Sequence, residues 1–180
     1  RALAGRRGRG PGWCGLLRSR RRWRAGRGFY RRVRRSFVRS FFVEKGVEGT
    51  VLNNGETKKL GEWTIEAIPM YNLTRGPAAG KLFHDKGRGN GYILTYGGKR
   101  FYIAGDTEGI PEMLALKNID VAFIPMNLPY TMTPEEAADA VRAFAPKVVY
   151  PYHYQKSDVN AFKAALANTK IDVRLVDWYY

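Results

Sequence analysis

The sequence predicts an α/β fold for residues 44–180, with strands and helices alternating along the C-terminal half. The run IDVAFIP at 119–125 is almost continuously apolar, which is typical of a strand buried on both faces. A helix-start signature follows at 133–136, and a second short apolar run lies at 147–151. This strand–helix–strand order favours a sheet with helices layered against it.

The N-terminal part of this segment favours strands joined by tight turns. An Asn-Gly pair at 54–55 and a Gly-Gly pair at 97–98 are hairpin-turn signals. Residues 70–90 are rich in glycine and polar side chains and are expected to form a loop. Extended segments are predicted at 50–52, 58–60, 63–69, 92–96, 100–104, 119–125, 147–151 and 172–176.

One of these strands, 63–69, alternates in a way that points Trp63, Ile65 and Ala67 inward. A strand of this kind packs one of its faces inward against the core.

The best-marked helix begins at Thr133, which suits the N-cap position. Pro134 suits the first helical position, and Glu136 stands where a capping box places its acid. The helix must end before Pro146, because the residue preceding a proline avoids the helical conformation. Helices are predicted at 110–116, 133–144 and 157–166.

The formal charge of +15 is confined to one end of the chain. Residues 1–43 hold 15 Arg and no acidic residue, whereas residues 44–180 hold 5 Arg and 11 Lys balanced by 16 acidic residues. This division excludes a uniformly basic protein. It also predicts two segments, an Arg-rich one over 1–43 that is disordered or aberrant, and a domain over 44–180.

The Arg-rich segment admits several interpretations, which stay open. Arginine with Trp13, Trp23 and Tyr30 suits a nucleic-acid-binding arm, in which arginine neutralises phosphates and aromatic rings stack on bases. A transit peptide, a basic amphipathic helix at 30–42, a disordered tail and the product of a shifted reading frame are the alternatives.

Two further bounds concern cysteine and the membrane. Cys14 is the single cysteine of the chain, which excludes an internal disulfide and a cysteine-cluster metal site. No apolar run reaches the roughly 18 residues that a membrane-spanning helix needs. We therefore expect no membrane span and a cytoplasmic location.

Polar side chains stand where three predicted strands end. Asp106, Asn127 and His153 follow the strands 100–104, 119–125 and 147–151. Ligands of α/β sheets bind beyond the carboxyl ends of strands, so these residues are candidates for a site.

The other histidine, His84, lies in the predicted loop. His84, Asp106 and His153 together suit zinc, iron or manganese. The alternatives are a turn-capping aspartate, a packed histidine and an exposed loop histidine, and they stay open.

Six segments, read in order, resemble the metallo-β-lactamase superfamily, and most nearly its ascorbate-6-phosphate-lactonase-like branch. The resemblance covers about residues 44–180. The segments are IPMYN (68–72), FHDKGRGNGYIL (83–94), IAGDTEGIPEM (103–113), DVAFIPMN (120–127), YTMTPEEAADAV (130–141) and YPYHY (150–154).

The resemblance implies an αββα sandwich whose N-terminal half is incomplete or replaced here. It implies a centre of two divalent metal ions, with Asp106 bridging both, His153 on the second ion and His84 on the first. It makes Asp106 and His153 catalytic residues, acting with a metal-activated hydroxide on a small ester, lactone or phosphate-containing substrate.

The chain departs from the family pattern in its N-terminal half. The family signature His-x-His-x-Asp-His is absent, because no histidine precedes His84. We therefore expect a partial metal site and impaired hydrolysis. The alternative functions are nucleic-acid binding through residues 1–43 and an inactive structural pseudoenzyme. A missing second sheet would also expose an apolar face, which predicts poor solubility, a homo-oligomer or pairing with a missing fragment.

Overall fold

A computed structural model describes residues 49–179, which form one seven-stranded sheet and three helices. The strands lie side by side in chain order, from β1 to β7. The fold class predicted from the sequence, α/β with alternating strands and helices over the C-terminal half, is confirmed. The elements are β1 (Thr57–Leu60), β2 (Trp63–Met70), β3 (Gly89–Tyr96), β4 (Lys99–Ile103), α1 (Pro111–Leu114), β5 (Val121–Pro125), α2 (Pro134–Phe144), β6 (Val148–Tyr152), α3 (Val159–Ala165) and β7 (Asp172–Val173).

The first four strands are antiparallel; two-residue turns join β1 to β2 and β3 to β4, and a long loop joins β2 to β3. Gly97 and Gly98 turn β3 into β4 with φ of 53° and 73°, values that a two-residue hairpin turn requires and glycine adopts freely. The Asn-Gly turn at 54–55 is also present, but the segment 50–52 before it is not a strand. Gly55 instead donates its N–H to the carbonyl of Ala67 on β2 at 2.7 Å.

The last four strands are parallel, and a helix lies in each connection between them. The capping signature of α2 is confirmed: Thr133 accepts from the N–H of Glu136, and the Glu136 side chain accepts from the N–H of Thr133. Ala145 closes the helix in the left-handed conformation, directly before Pro146. Local sequence signals therefore set the bounds of α2.

The sheet has two unlike faces. The covered face carries the side chains of Ile93, Tyr102, Ala122 and Val149, which lie in one row across β3 to β6 and are at most 2% exposed. These side chains share one core cluster with buried residues of α1, α2 and α3. Tyr102 meets Phe144 of α2 edge to face, with ring centroids 5.8 Å apart.

The open face carries the alternate side chains of the same strands, of which Ile103, Phe123 and Tyr150 form one row. All three are only half-buried, so the prediction of burial on both faces is wrong for β5 within the described range. The physical reason is that the helices of residues 49–179 pack on the covered face alone. Among the side chains of the open face on β3 to β6 are Tyr92, Leu94, Phe101, Ile103, Val121, Phe123, Val148 and Tyr150.

The inward alternation predicted for β2 is only partly correct. Ala67 is buried and Ile65 is half-buried, but Trp63 is 40% exposed. Trp63 lies at the end of β2, next to the turn into that strand, and stacks on Tyr96 with ring centroids 4.6 Å apart. Its burial therefore comes from a neighbouring aromatic ring and not from the core.

Two further expectations concern the Arg-rich segment and membrane-spanning helices. The Arg-rich segment 1–43 lies outside the described residues, and so does every interpretation of it. Through residues 49–179, no helix has the combination of length and apolarity that crossing a membrane demands.

Candidate metal site

The carboxyl ends of β4, β5 and β6 meet at one edge of the sheet, because these strands are parallel. Asp106 follows β4, Asn127 follows β5, and His153 comes directly after β6. Three polar residues of distant sequence positions are thereby collected at a single edge.

His84 is brought to the same edge by the long loop between β2 and β3. The N–H of Asn72, just after β2, donates to the His84 carbonyl at 2.9 Å. This bond ties the loop back to the end of β2. The imidazole of His84 consequently faces Asp106, across the edge from His153.

The two histidines approach different oxygens of one carboxylate. Nε2 of His84 lies 3.6 Å from Oδ2 of Asp106, and Nε2 of His153 lies 3.7 Å from Oδ1. The geometry is therefore two histidine–aspartate pairs that share Asp106.

Each pair has a separation close to that of two ligands on one metal ion. Bonds of about 2.0–2.1 Å in tetrahedral geometry put two donor atoms roughly 3.3 Å apart. Imidazole nitrogen and carboxylate oxygen are also donors that zinc, iron and manganese accept. In the part of the chain that the structure describes, however, no group of three His, Cys, Asp or Glu side chains closes into a metal cage. The residues present thus fit a partial site in chemistry and in pairwise spacing.

Unusual backbone conformations aim two of these side chains. His153 has a φ of 47°, in the left-handed region that non-glycine residues seldom occupy. Gly105, before Asp106, has a φ of 73°, and a Cβ there would lie 3.0 Å from the Asn90 carbonyl oxygen. The hydroxyl of Tyr152 donates to the Gly105 carbonyl at 3.0 Å, which joins the ends of β6 and β4. Strained backbone held by its surroundings is a frequent feature of functional sites.

Thr107 anchors the Asp106 loop to the end of β2. Its hydroxyl donates to the Tyr71 carbonyl at 2.9 Å, and the same Thr107 hydroxyl oxygen accepts from the N–H of Tyr71 at 3.2 Å. Thr107 is fully buried, so water does not compete for these bonds. The loops carrying Asp106 and His84 are therefore fixed relative to each other.

The electrostatic environment favours a neutral imidazole at His84. Burial lowers its pKa, Arg88 and His153 lower it further, and the carboxylate of Asp106 opposes them. A neutral imidazole is the form that binds a metal ion. Asp106 keeps 41% of its side chain exposed, so a ligand in solvent can reach it.

A cavity of about 540 Å³ adjoins the site. Asp106 and His153 lie at its polar end, and Phe123 and Ile103 of the open face form an apolar wall. Trp178 also lines the cavity and donates its indole N–H to the Pro151 carbonyl at 2.8 Å. The described residues therefore place an apolar surface beside the two catalytic candidates.

Reasoning from the sequence missed two residues that support the site from behind His84. Asn72 bonds to His84, and Glu108 bonds to Asn72. A usable signal existed, because Asn72 follows a strand end just as Asp106 does. Its partners lie 12 and 36 residues away, however, and nothing in the local sequence indicates them.

The fold and the shared aspartate define a metallo-β-lactamase-type protein. Residues 14–154 match the model of the beta-lactamase superfamily domain, and the chain belongs to this superfamily. The resemblance predicted from the six segments is thereby confirmed. The matched range begins inside the Arg-rich segment, and the boundary at residue 43 stays a prediction.

Two bacterial relatives share more than a third of their aligned residues with the chain. A UPF0173 metal-dependent hydrolase of Enterococcus faecalis is 38% identical over 142 residues, which cover 77% of this chain and 61% of that protein. Another, of Listeria innocua, is 39% identical over 133 residues, covering 69% of this chain and 58% of that protein. Across such relatives the chain spans between 42% and 63% of their length.

Solved structures agree with this assignment. A provisionally assigned metal-dependent hydrolase from Parabacteroides distasonis is 49% identical, with a TM-score of 0.69 over 78% of this chain and 62% of that one. Igni18, a metallo hydrolase from the archaeon Ignicoccus hospitalis, is 28% identical, with a TM-score of 0.62 over 77% of this chain and 62% of that one. The chain therefore has the fold of these proteins over part of their length.

Proposed function

We propose that the edge formed by His84, Asp106 and His153 is a divalent-metal site. We also propose that the chain is part of a metal-dependent hydrolase acting on a small ester, lactone or phosphate-containing substrate. The observation that carries the proposal is the placement of one imidazole at each oxygen of Asp106, 3.6 and 3.7 Å away. The names of the relatives support the same reaction class.

The chain's own residues have separable roles in this proposal. Asp106 offers one oxygen to each histidine side of the site, so it holds both halves together. His84 and His153 supply neutral nitrogen ligands. A bound divalent ion would supply Lewis acidity, which polarises a carbonyl or phosphoryl oxygen and lowers the pKa of water. The apolar wall of Phe123 and Ile103 would exclude water from one side of the substrate.

The activity of this chain is expected to be impaired. The signature His-x-His-x-Asp-His is absent from the sequence, so the ligands it brings to the family's centre have no counterpart here. The described residues also leave the cage open. We infer weak metal binding and slow turnover for the chain by itself.

Metal titration by calorimetry, together with metal analysis of the dialysed protein, tests the site. Zinc or manganese should bind weakly to the chain, and Asp106→Asn should abolish binding because it removes the negative charge and one oxygen of the carboxylate that both pairs share. Asp139→Asn, on an exposed position of α2, is the matched control and should bind as the unaltered chain does. Equal binding by the Asp106 variant would refute the site.

A hydrolysis screen with lactones, phosphodiesters and simple esters tests the activity. Slow, metal-dependent turnover that disappears in His153→Gln is the expected result. Binding of two ions per chain together with rapid turnover would show that the expected impairment is wrong.

Further predictions concern the partners and the location of the chain. A small-molecule substrate follows from the proposed reaction, and a homo-oligomer follows from the half-buried open face. Nucleic-acid binding through residues 1–43 stays a prediction outside the described range, and a cytoplasmic location stays one as well. RNA binding that survives deletion of residues 1–43 would refute that segment as its cause.

A further inference from the structure

A buried polar network lies behind His84, on the side away from Asp106. Asn72 is 1% exposed, and its side-chain oxygen Oδ1 lies 2.9 Å from both the backbone N and the ring Nδ1 of His84. Its side-chain nitrogen Nδ2 lies 3.0 Å from Oε1 of Glu108 and 2.8 Å from the carbonyl oxygen of Tyr130. All polar groups of the Asn72 amide are therefore engaged.

The orientation of the Asn72 amide follows from its partners. A carbonyl oxygen and an ionised carboxylate can only accept hydrogen bonds, so the amide group facing Tyr130 and Glu108 must be the NH₂ group. The oxygen then faces His84. The N–H of the His84 backbone confirms this orientation, because it can only donate, and it points at the same oxygen.

The Glu108 carboxylate accepts hydrogen bonds from Asn72, Thr74 and Arg75. The Arg75 N–H donates at 2.8 Å, and its guanidinium lies 3.8 Å from the carboxylate. The backbone N–H of Arg75 can only donate, so Oε1 of Glu108 is an acceptor, and it holds the NH₂ group of the Asn72 amide toward itself.

The orientation of the Asn72 amide determines which ring nitrogen of His84 carries the proton. Oδ1 of Asn72 is an acceptor, so Nδ1 of His84 must carry the proton for the 2.9 Å contact to be a hydrogen bond. A neutral imidazole with its proton on Nδ1 has its lone pair on Nε2. That nitrogen is the one 3.6 Å from Asp106.

We propose that Asn72, oriented by Glu108, is a positioning residue that fixes His84 in the Nδ1–H tautomer and presents its Nε2 lone pair toward Asp106. The function of this tautomer rests on the proposed metal site, but the tautomer itself is a property of the metal-free chain. Partners behind a ligand histidine commonly set its tautomer and ring orientation, and their loss typically lowers metal affinity about 10–100-fold.

Nitrogen-15 NMR of the metal-free full chain at about pH 8, above the ordinary histidine pKa, tests the tautomer directly. The chain has 2 histidines, so His153→Gln leaves a single imidazole and assigns the spectrum. We expect a protonated Nδ1 and an unprotonated Nε2 at His84. A proton on Nε2, or a freely exchanging mixture, in the otherwise unaltered chain would overturn the proposal.

Two variants separate positioning from mere stability. Asn72→Ala removes the acceptor and should release His84 into a mixture of tautomers, with zinc affinity about 10–100-fold lower. Thr74→Val is the matched control, because it removes a 3.2 Å hydrogen bond to the same Glu108 without touching Asn72. It should keep the Nδ1–H tautomer, and a loss of the tautomer there would contradict the assigned role of Asn72.

The outcomes distinguish this proposal from the proposed function. If the chain binds no metal but His84 shows the Nδ1–H tautomer, the proposed function fails and the positioning role of Asn72 stands. If Asn72→Ala does not fold, the spectrum of the unaltered chain still decides the tautomer.

Discussion

The covered face and the open face of the sheet are built from alternate residues of the same strands, yet they are packed very differently. Tyr102 and Ala122 on the covered face are fully buried beneath helices, whereas Ile103 and Phe123, their immediate neighbours in sequence, are half-buried on the open face. Strand pattern alone does not distinguish them, since both rows are apolar. Stability and association should therefore come from different faces.

The largest effect is expected from truncating a side chain packed on the covered face. Phe162 of α3 is fully buried, and Phe162→Ala should lower the free energy of unfolding by about 3–5 kcal/mol, because it removes apolar contacts and leaves a cavity. Urea denaturation followed by circular dichroism measures the loss. A cost below about 1 kcal/mol would show that the helices are only loosely packed on this face.

The same substitution on the open face is the matched comparison. Phe123 is half-buried and stacks on Tyr150, with ring centroids 5.3 Å apart, so Phe123→Ala should cost about 1–2 kcal/mol. If this cost equals that of Phe162→Ala, the two faces do not differ in packing. In that case the open face is covered in solution, and a dependence of the cost on protein concentration would identify self-association as the cover.

A smaller, pH-dependent effect is expected at Asp120, which precedes β5 at the edge of the sheet opposite the metal site. Lys147 donates to its carboxylate at 2.8 Å, and this bond, with one from the Arg100 N–H, lowers the pKa to about 2. A pKa below the ordinary value of 3.8 stabilises the fold above pH 4 and loses that stabilisation as the pH falls toward 2.

Asp120→Asn should therefore cost about 1 kcal/mol at neutral pH, and the difference from the unaltered chain should vanish near pH 2. Thermal melts across this range measure it. Glu62→Gln, in the exposed turn between β1 and β2, is the control and should cost much less at neutral pH. A cost at Asp120 that is constant with pH would exclude the ionised carboxylate as its source.

The smallest effect is expected at the centre of the covered face. The Tyr102 hydroxyl is buried and has no hydrogen-bond partner among the residues of the described sheet and helices. Tyr102→Phe removes that unpaired group and keeps the ring, so stability should stay unchanged or rise by up to about 1 kcal/mol. A clear loss of stability would show that the hydroxyl has a partner in solution.

The sequence by itself determined the local structure of this protein. Thr133, Pro134 and Glu136 set the start of α2, and Gly97 with Gly98 set the turn between β3 and β4, because capping and turn conformation depend on residues close in the chain. The ordered segments likewise identified the superfamily, which the matching family model confirms. The extended segment 50–52 does not pair across the Asn-Gly turn, because a turn signal does not reveal which strand lies beside it.

Only the tertiary structure decided which face of the sheet is covered and how the site is assembled. The residues of the open face are as apolar in sequence as those of the covered face. The difference in their burial arises from where the helices pack. His84 meets Asp106 because Asn72 ties the loop back to β2, and Asn72 is in turn held by Glu108, 36 residues later. Such contacts join residues remote in the chain, and short-range propensity carries no information about them.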